Sequence, residues 1–556
     1  MIIGLDVGGT HTDVVLLGKY GLLAEVKVLT DESDLFSTVL KGLEEITKGI
    51  DSKEIKRIVL STTLTTNAII QGKIPKVGLI VAGGPGIDQA LFKIGDYYEC
   101  VSGSIDHRGQ EVLPLKKNEI LSAAEKFKSV GIKNVGVITK FSTKNPKHES
   151  EIKELIKDSF EHVFLGHLIS GNLNFPRRIA TTFLNTAVYP VHKHFYEVVK
   201  SSLSKKGLDL PIHILKADGG TMLFDASLEF PGQTILSGPG ASVMGAIPFA
   251  QKGKDTVVLD IGGTTTDIAV LINQVPLLEP LGIELGGYKT LIRALKTCSI
   301  GVGGDSHVVF ENGNLKIGPE RKGQAIAYGG PVPTTTDALF VLGEIKNGDK
   351  EKAHQGIKLI ADKMGLSVDE TAKKIFNLAC QNILEHIKLV IDEINIKPVY
   401  TVHEVLEGYQ INPKNILILG GPAPHFVKGF KELSDFEVEA VPRWGVANAI
   451  GASLARTTCE VIFFADTYQG IAMAPSENYF ESVKKTYTKK DALNKAYEIL
   501  KNKAIKRGAD VDDLDMEVLE DFEFNMVKDF YTIGKNIRIK VQVKPGLVKD
   551  FESVIK

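Results

Sequence analysis

Long apolar runs are missing from this sequence. No stretch approaches the roughly 20 residues that cross a bilayer as a helix, and the opening MIIGLDVGGTHTD reaches Asp6 and a glycine pair too soon for the apolar region of a secretion signal. No membrane role is therefore expected, and a cytoplasmic location is. Cysteine is scarce: Cys100, Cys298, Cys380 and Cys459 stand far apart without a CxxC pair, which argues against a disulfide framework or a thiolate zinc site and leaves buried, reduced thiols as the expectation. Net charge is also nearly absent. With 66 basic and 68 acidic residues the formal charge is −2, so no global field draws the chain to nucleic acid. No serine or cysteine lies in a GxSxG elbow, and His11, His107 and His148 lack the spacing of a zinc site. Covalent catalysis and zinc chemistry are not indicated.

What is present is a globular composition, 43% hydrophobic and 24% charged, in 556 residues. That length exceeds the roughly 250–300 residues at which a single core stops growing, so two large domains and an accessory unit are expected. The strongest signal is a repeat. DVGGTHTD at Asp6–Asp13 returns as DIGGTTTD at Asp260–Asp267, each flanked by short aliphatic runs that read as strand, tight turn, strand. Aliphatic strands near 76–82, 133–139 and 211–216 alternate with helical patterns near 35–48, 118–130 and 146–159, which predicts α/β layering. Pro176 and Pro190 bracket a helix, the second as a stop or kink. Ser367 and Glu370 form a capping box ahead of an amphipathic stripe through Ile375, Ala379, Ile383, Ile387, Val390 and Ile394.

The repeated loop has the chemistry of a phosphate clamp. Gly8, Gly9, Gly262 and Gly263 lack Cβ and let backbone amides approach a ligand. Thr10, Thr12, Thr264 and Thr266 supply uncharged hydroxyl donors. Carboxylates repel phosphate, so Asp6 and Asp260 are assigned to a hydrated Mg²⁺, which keeps several waters and needs one or two carboxylates. One octapeptide of this kind could be an ordinary hairpin turn; two, a domain apart, predict facing hairpins on one nucleotide. Two further glycine clusters, SIGVGGDS with Gly303 and Gly304 and LGGPAP with Gly420 and Gly421, offer close backbone approaches, the latter ahead of a helix near His425. Asp13 and Asp267 suit either nucleotide and metal contact or closure of the hairpins.

Together with STTLTTNA (61–68), IDHRG (105–109), FSTKNPKHE (141–149), SGPG (237–240), GGPVPTTTD (329–337) and the segment 441–451, these loops resemble the hydantoinase A and 5-oxoprolinase family over about residues 1–457. The resemblance implies two actin-like (ribonuclease H-like) ATPase domains with a nucleotide cleft between them, at 1–188 and 189–458, with the 445–458 helix packing back on the first, and a small α+β region at 459–556. It implies ATP and Mg²⁺ as cofactors, phosphorylation of a cyclic amide or related carbonyl substrate before attack by water, and a hydantoinase B-type partner subunit, with homo-oligomerisation also open. SGPGAS replaces the family's SGPAGG and GVGGDS its GAGGGS, which places Asp305 where a glycine is usual, and the stretch before YGG and the tail after about 460 are shorter. A regulatory ATPase acting on a protein partner, or a small-molecule kinase, are the alternatives. Asp305 and Asp337 join Asp6 and Asp260 as catalytic candidates, Asp337 doubling as a helix N-cap. Asn67, Arg177 and Arg178 are further candidates for the cleft.

Overall fold

The computed structural model describes residues 1–9, 11–31, 33–279, 281–396 and 410–549. Two sheets repeat one topology. In the first, Ile2–Val7 is antiparallel to His11–Gly18, which is antiparallel to Gly21–Leu29; on its other side Ile2–Val7 runs parallel to Arg57–Thr62 and that strand parallel to Ile212–Leu215, with Thr221–Leu223 at the edge. In the second, Thr256–Ile261 is antiparallel to Thr266–Ile272 and parallel to Asn415–Leu419, followed by Glu437–Ala440; Thr297–Ile300 pairs antiparallel with the far side of the hairpin. The central strands IIGLDV and TVVLDI are aliphatic on both faces because helices cover both faces.

A four-stranded parallel sheet, from Gly78–Ala82 to His162–Leu165, is inserted between two strands of the first sheet. The helix Phe175–Lys205 follows it, capped by Asn174 at the amide of Arg177. It runs unbroken through Pro190, where a stop or kink was expected, and through the expected domain junction. Burial of Val188, Tyr189, His192 and Phe195 on either side of the proline outweighs one lost backbone bond. The strands at 212–223 beyond it belong to the first sheet, although the sequence reading grouped them with the second domain. The helix Val368–Ile396 has the expected stripe buried against the second sheet, and Ser367 and Glu370 exchange both bonds of their capping box. The last unit is a five-stranded antiparallel sheet, from Glu460–Asp466 to Tyr531–Val543, carrying the helix Lys489–Lys506.

Two short helices join the domains. Ser237–Ala246 (SGPGASVMGA) and Ala447–Leu454 (ANAIGASL) cross between the sheets, and their alanines form one continuous core with Ile2, Val15 and Val59 of the first sheet and Val258, Leu271 and Leu417 of the second. Small residues make the crossing possible. A Cβ on Gly451 would lie 2.2 Å from the Ala241 carbonyl oxygen and 2.3 Å from the Gly245 amide nitrogen; one on Gly245 would lie 2.3 Å from the Ala447 carbonyl, and one on Gly4 would lie 2.4 Å from that of Ala449.

Glycine-to-alanine changes inside helices ordinarily stabilise by about 1 kcal/mol. Gly451→Ala is expected to do the opposite, lowering stability by about 1–3 kcal/mol in denaturant melts because rigid backbone must separate. Gly445→Ala, with nothing within 4 Å of its added carbon, is the near-neutral control.

Candidate functional site

Both repeats are tight hairpins, closed by Gly8 N donating to the His11 carbonyl at 3.1 Å and Gly262 N to that of Thr265 at 2.9 Å. Their registers set Asp6 opposite Asp13 and Asp260 opposite Asp267. Directly opposed residues of an antiparallel pair share a face, so each hairpin presents two carboxylates on the same side. Thr12 and Thr266, one position along, fall on the other side. Thr12 is buried with its hydroxyl 2.9 Å from that of Thr30, and Thr266 is buried and donates to the Val302 carbonyl at 2.7 Å. These hydroxyls lock the hairpins and do not serve a ligand as expected. Thr10 lies outside the described residues. Thr264 is half-buried, while Gly9 is exposed at the turn.

The crossing helices supply polar contacts to the carboxylates. Asp260 accepts from Ser242 of the first and, at 3.2 Å, from Asn448 Nδ2 of the second. Asn448 also neighbours Asp6, together with Ser61, yet Asp6 Oδ1 and Asn448 Oδ1 are both buried without a hydrogen-bond partner. Burial, then the charge of Asp13, lifts the Asp6 carboxyl to about 6, with Asp260 adding to the rise. Burial followed by repulsion from Asp260 lifts Asp267 to about 7. Asp260 is raised chiefly by burial, and so is Asp13 although Lys27 pairs with it at 2.7 Å. Lys27 gives the first hairpin a counter-ion; in the second, Ser299 hydrogen-bonds Asp267, and among the described residues no cation pairs with it.

The remaining predicted residues divide into support and surface. Gly303 and Gly304 are buried against the second hairpin, with Gly304 N donating to the Gly262 carbonyl at 3.0 Å, so they brace that loop from behind where ligand contact was expected. Asp305 folds over the hairpin: its carboxylate meets Arg321 at 2.9 Å, and a Cβ on Gly263 would lie 2.8 Å from Asp305 Oδ2. Gly420, with φ +96°, abuts Asp260, its would-be Cβ 2.6 Å from Oδ1, while Gly421 is exposed with nothing within 4 Å. Asp337 is fully buried, and its oxygens accept from the amides of Ile326, Ala327 and Thr334 and the Thr334 hydroxyl. It is a structural cap with no free lone pair aimed at a substrate, which corrects its catalytic candidacy. Arg177 and Arg178 likewise donate to backbone carbonyls, at Leu281 and Thr290 and at Asn172 and Thr139. Asn67 lies within its own helix turn beside Thr63. Ser242 and Asn448 escaped the sequence reading; the signal available was a polar residue inside each run of glycine and alanine.

Among the described residues no three His, Cys, Asp or Glu side chains converge as a ready-made metal cage, and no helix is long and apolar enough to cross a membrane.

Paired hairpins on duplicated sheets define an actin-like, two-domain ATPase fold. In fold, the chain matches nucleotide-free acetone carboxylase at a TM-score of 0.72 with 18% identity, over 99% of this chain and 88% of that one. Residues 2–160 match the hydantoinase/oxoprolinase N-terminal region and residues 178–461 the hydantoinase/oxoprolinase family proper, and the chain belongs to that family. An uncharacterised protein of Methanocaldococcus jannaschii is 27% identical over 82% of this chain and 72% of its own length. The caprolactamase alpha subunit of Pseudomonas jessenii is 25% identical over 71% of this chain, which spans 63% of that subunit.

Two measurements separate the roles assigned here. Because the Asp267 carboxyl is raised on folding from 3.8 to about 7, its contribution to stability is complete below about pH 4 and is lost as pH rises to about 7. Asp267→Asn removes that titration, so melts of the metal-free and nucleotide-free protein should show the variant gaining on the wild type by about 2–4 kcal/mol across that window; a pH-independent difference would contradict the shift. Asp337→Ala strands several buried donors and should cost about 3 kcal/mol of stability, with little loss of ATP turnover per folded molecule at low temperature.

Proposed function

We propose that the chain is an ATP- and Mg²⁺-dependent enzyme that activates a cyclic amide, or a related carbonyl compound, for hydrolysis. The observation that carries this reading is the set of four carboxylates on two hairpins, with Asp6 repelled by Asp13 and Asp260, Asp267 by Asp260, and a buried Asp6 oxygen left unpartnered. Such an arrangement fits a hydrated divalent cation, which accepts few protein ligands and fills its remaining positions with water and phosphate oxygens. Asp6 and Asp260 would hold it, directly or through water. ATP would supply a phosphoryl group to the carbonyl oxygen, making the carbon electrophilic; water would add to it, the ring C–N bond would break with the proton going to nitrogen, and the acyl phosphate left would be hydrolysed by a second water to carboxylate and phosphate.

The protein's part is positioning. Gly8, Gly9, Gly262 and Gly263 leave the turn backbones free of side-chain carbon beyond Cα, and exposed Gly421 extends the same opening. Asn448 and Ser242 orient the Asp260 carboxylate, and Lys27 balances Asp13. Asp267, with no cation paired to it among the described residues, is poised to hold a proton near neutral pH. The cyclic amide is supported by family membership and by caprolactamase among the relatives; acetone carboxylase among the structural neighbours supports the broader carbonyl class. Since the caprolactamase relative is named as a subunit, a hydantoinase B-type partner is part of the proposal, and light scattering reads self-association.

The test is ATP hydrolysis by the purified chain, alone and with candidate partner subunit, in the presence and absence of hydantoin, 5-oxoproline, other lactams and simple ketones. Stimulation by a cyclic amide is expected; no response to any carbonyl compound would overturn the reading. Asp6→Ala and Asp260→Ala should each lower Mg²⁺-dependent turnover by about 100-fold or more, and retained activity in both would refute the metal assignment.

A further inference from the structure

A partly open pocket lies away from the hairpins, with a volume of about 80 Å³, room for several waters or one small organic acid. Every major unit of the chain contributes to its wall: Ile169 beside the inserted sheet, Asn185 of the long helix, Lys216 and Phe230 of the first domain, Arg293 on the arm that returns from the second, and Glu460, Lys503 and Arg507 of the C-terminal unit. One side is apolar, the other strongly charged.

The charges do not cancel. Asp218 is held by Lys216 at 3.1 Å, by Arg293 Nε at 3.3 Å and by the Thr458 hydroxyl; burial works against its ionisation, but these two cations bring its carboxyl down to about 2. Glu460 is taken by Arg293 Nη1 and by Lys540, each at 3.2 Å, and Lys503 pairs with Glu477. The pocket wall thus sets Lys216, Arg293, Lys503 and Arg507 against Asp218 and Glu460, four cations against two carboxylates, with Glu477 and Lys540 pairing from outside it. The surplus is localised. Arg507 is only 7% exposed, its guanidinium lies 4.7 Å from the centre of the Phe230 ring, and among the described residues no carboxylate pairs with it. Arg293 Nη2 is buried without a hydrogen bond.

A guanidinium with little exposure and no carboxylate beside it, as at Arg507, is costly unless an anion completes it, and planar guanidinium forks match carboxylates. We infer that this cavity is a binding site for a small organic carboxylate, separate from the nucleotide cleft. It also has a route to that cleft. The turn that bears Lys216 and Asp218 packs on Gly240, where a Cβ would lie 3.2 Å from the Lys216 carbonyl oxygen, and Gly240 stands one short step before Ser242, which holds Asp260.

The test is calorimetric titration of the full chain without nucleotide, at pH 7 and low salt, with succinate and 5-oxoproline and with their uncharged counterparts succinamide and 2-pyrrolidone. At least one carboxylate should bind, with its neutral counterpart at least about 10-fold weaker. Arg507→Gln should lower the affinity by about 10-fold or more and Arg507→Lys should restore most of it; Ile169→Trp, which fills the cavity without removing a charge, should abolish binding, and Asp6→Asn should leave it intact. Absence of binding by both carboxylates, equal affinity for the neutral compounds, or unchanged affinity in Arg507→Gln or Ile169→Trp would overturn the assignment. Because no nucleotide is present, the result stands apart from the ATP-dependent reaction.

Discussion

The arrangement of this protein depends on one close approach, the crossing of helices Ser237–Ala246 and Ala447–Leu454 between the two sheets. Backbone meets backbone there, at Gly245 against Ala447 and Gly451 against Ala241, and the alanines around them belong to a core shared by both domains. Close packing of this kind transmits displacement and does not absorb it. The same two helices carry Ser242 and Asn448, whose side chains fix Asp260 and neighbour Asp6. The separation of the sheets and the geometry of the carboxylates are therefore set by one contact, and a methyl group at the crossing would disturb both.

A second constraint opposes the first. On the two hairpins Asp6 is repelled by Asp13 and Asp260, and Asp267 by Asp260, in a half-buried setting where, among the described residues, Asp13 alone of the four pairs with a lysine. The fold bears that cost as raised carboxyl pKa values, to about 6 at Asp6 and about 7 at Asp267. Strain of this sort is expected where a charged ligand is to be received, because the ligand relieves what the fold imposes. Asp305 with Arg321 over Gly263 adds an ion pair at the rim of the same hairpin, a feature of this chain's GVGGDS loop.

Much of this was legible in the sequence, for identifiable reasons. The repeated octapeptide, the aliphatic strands around it and the stripe from Ile375 to Ile394 are local patterns, and local patterns survive folding. Thr12 and Thr266 were misassigned even though the information was present: each adjoins an aspartate on a strand, so period-2 alternation turns it to the opposite face. Gly303 and Gly304 were read as ligand contacts because a glycine that admits a ligand and one that admits another backbone look identical in sequence. The placement of 212–223 in the first sheet, the passage of a helix through Pro190 and the pairing of Asn448 with carboxylates 188 and more residues away in sequence are products of tertiary contact. No local signal encodes them.

The C-terminal unit shows how long-range contacts tie the molecule together. Immediately after the crossing helix, Arg57 of the first sheet donates to the carbonyls of Ser453 and Ala455, Arg456 pairs with Asp513 and Asp515, and the Thr458 hydroxyl joins Lys216 and Asp218. Within six residues the chain passes from the contact that sets the nucleotide cleft to the wall of the charged cavity. Thr458 and Glu460, which contact Lys216 and Arg293, follow the crossing helix by only a few residues of backbone. One short run of backbone thus anchors both the helix whose Asn448 orients Asp260 and the wall that holds Asp218.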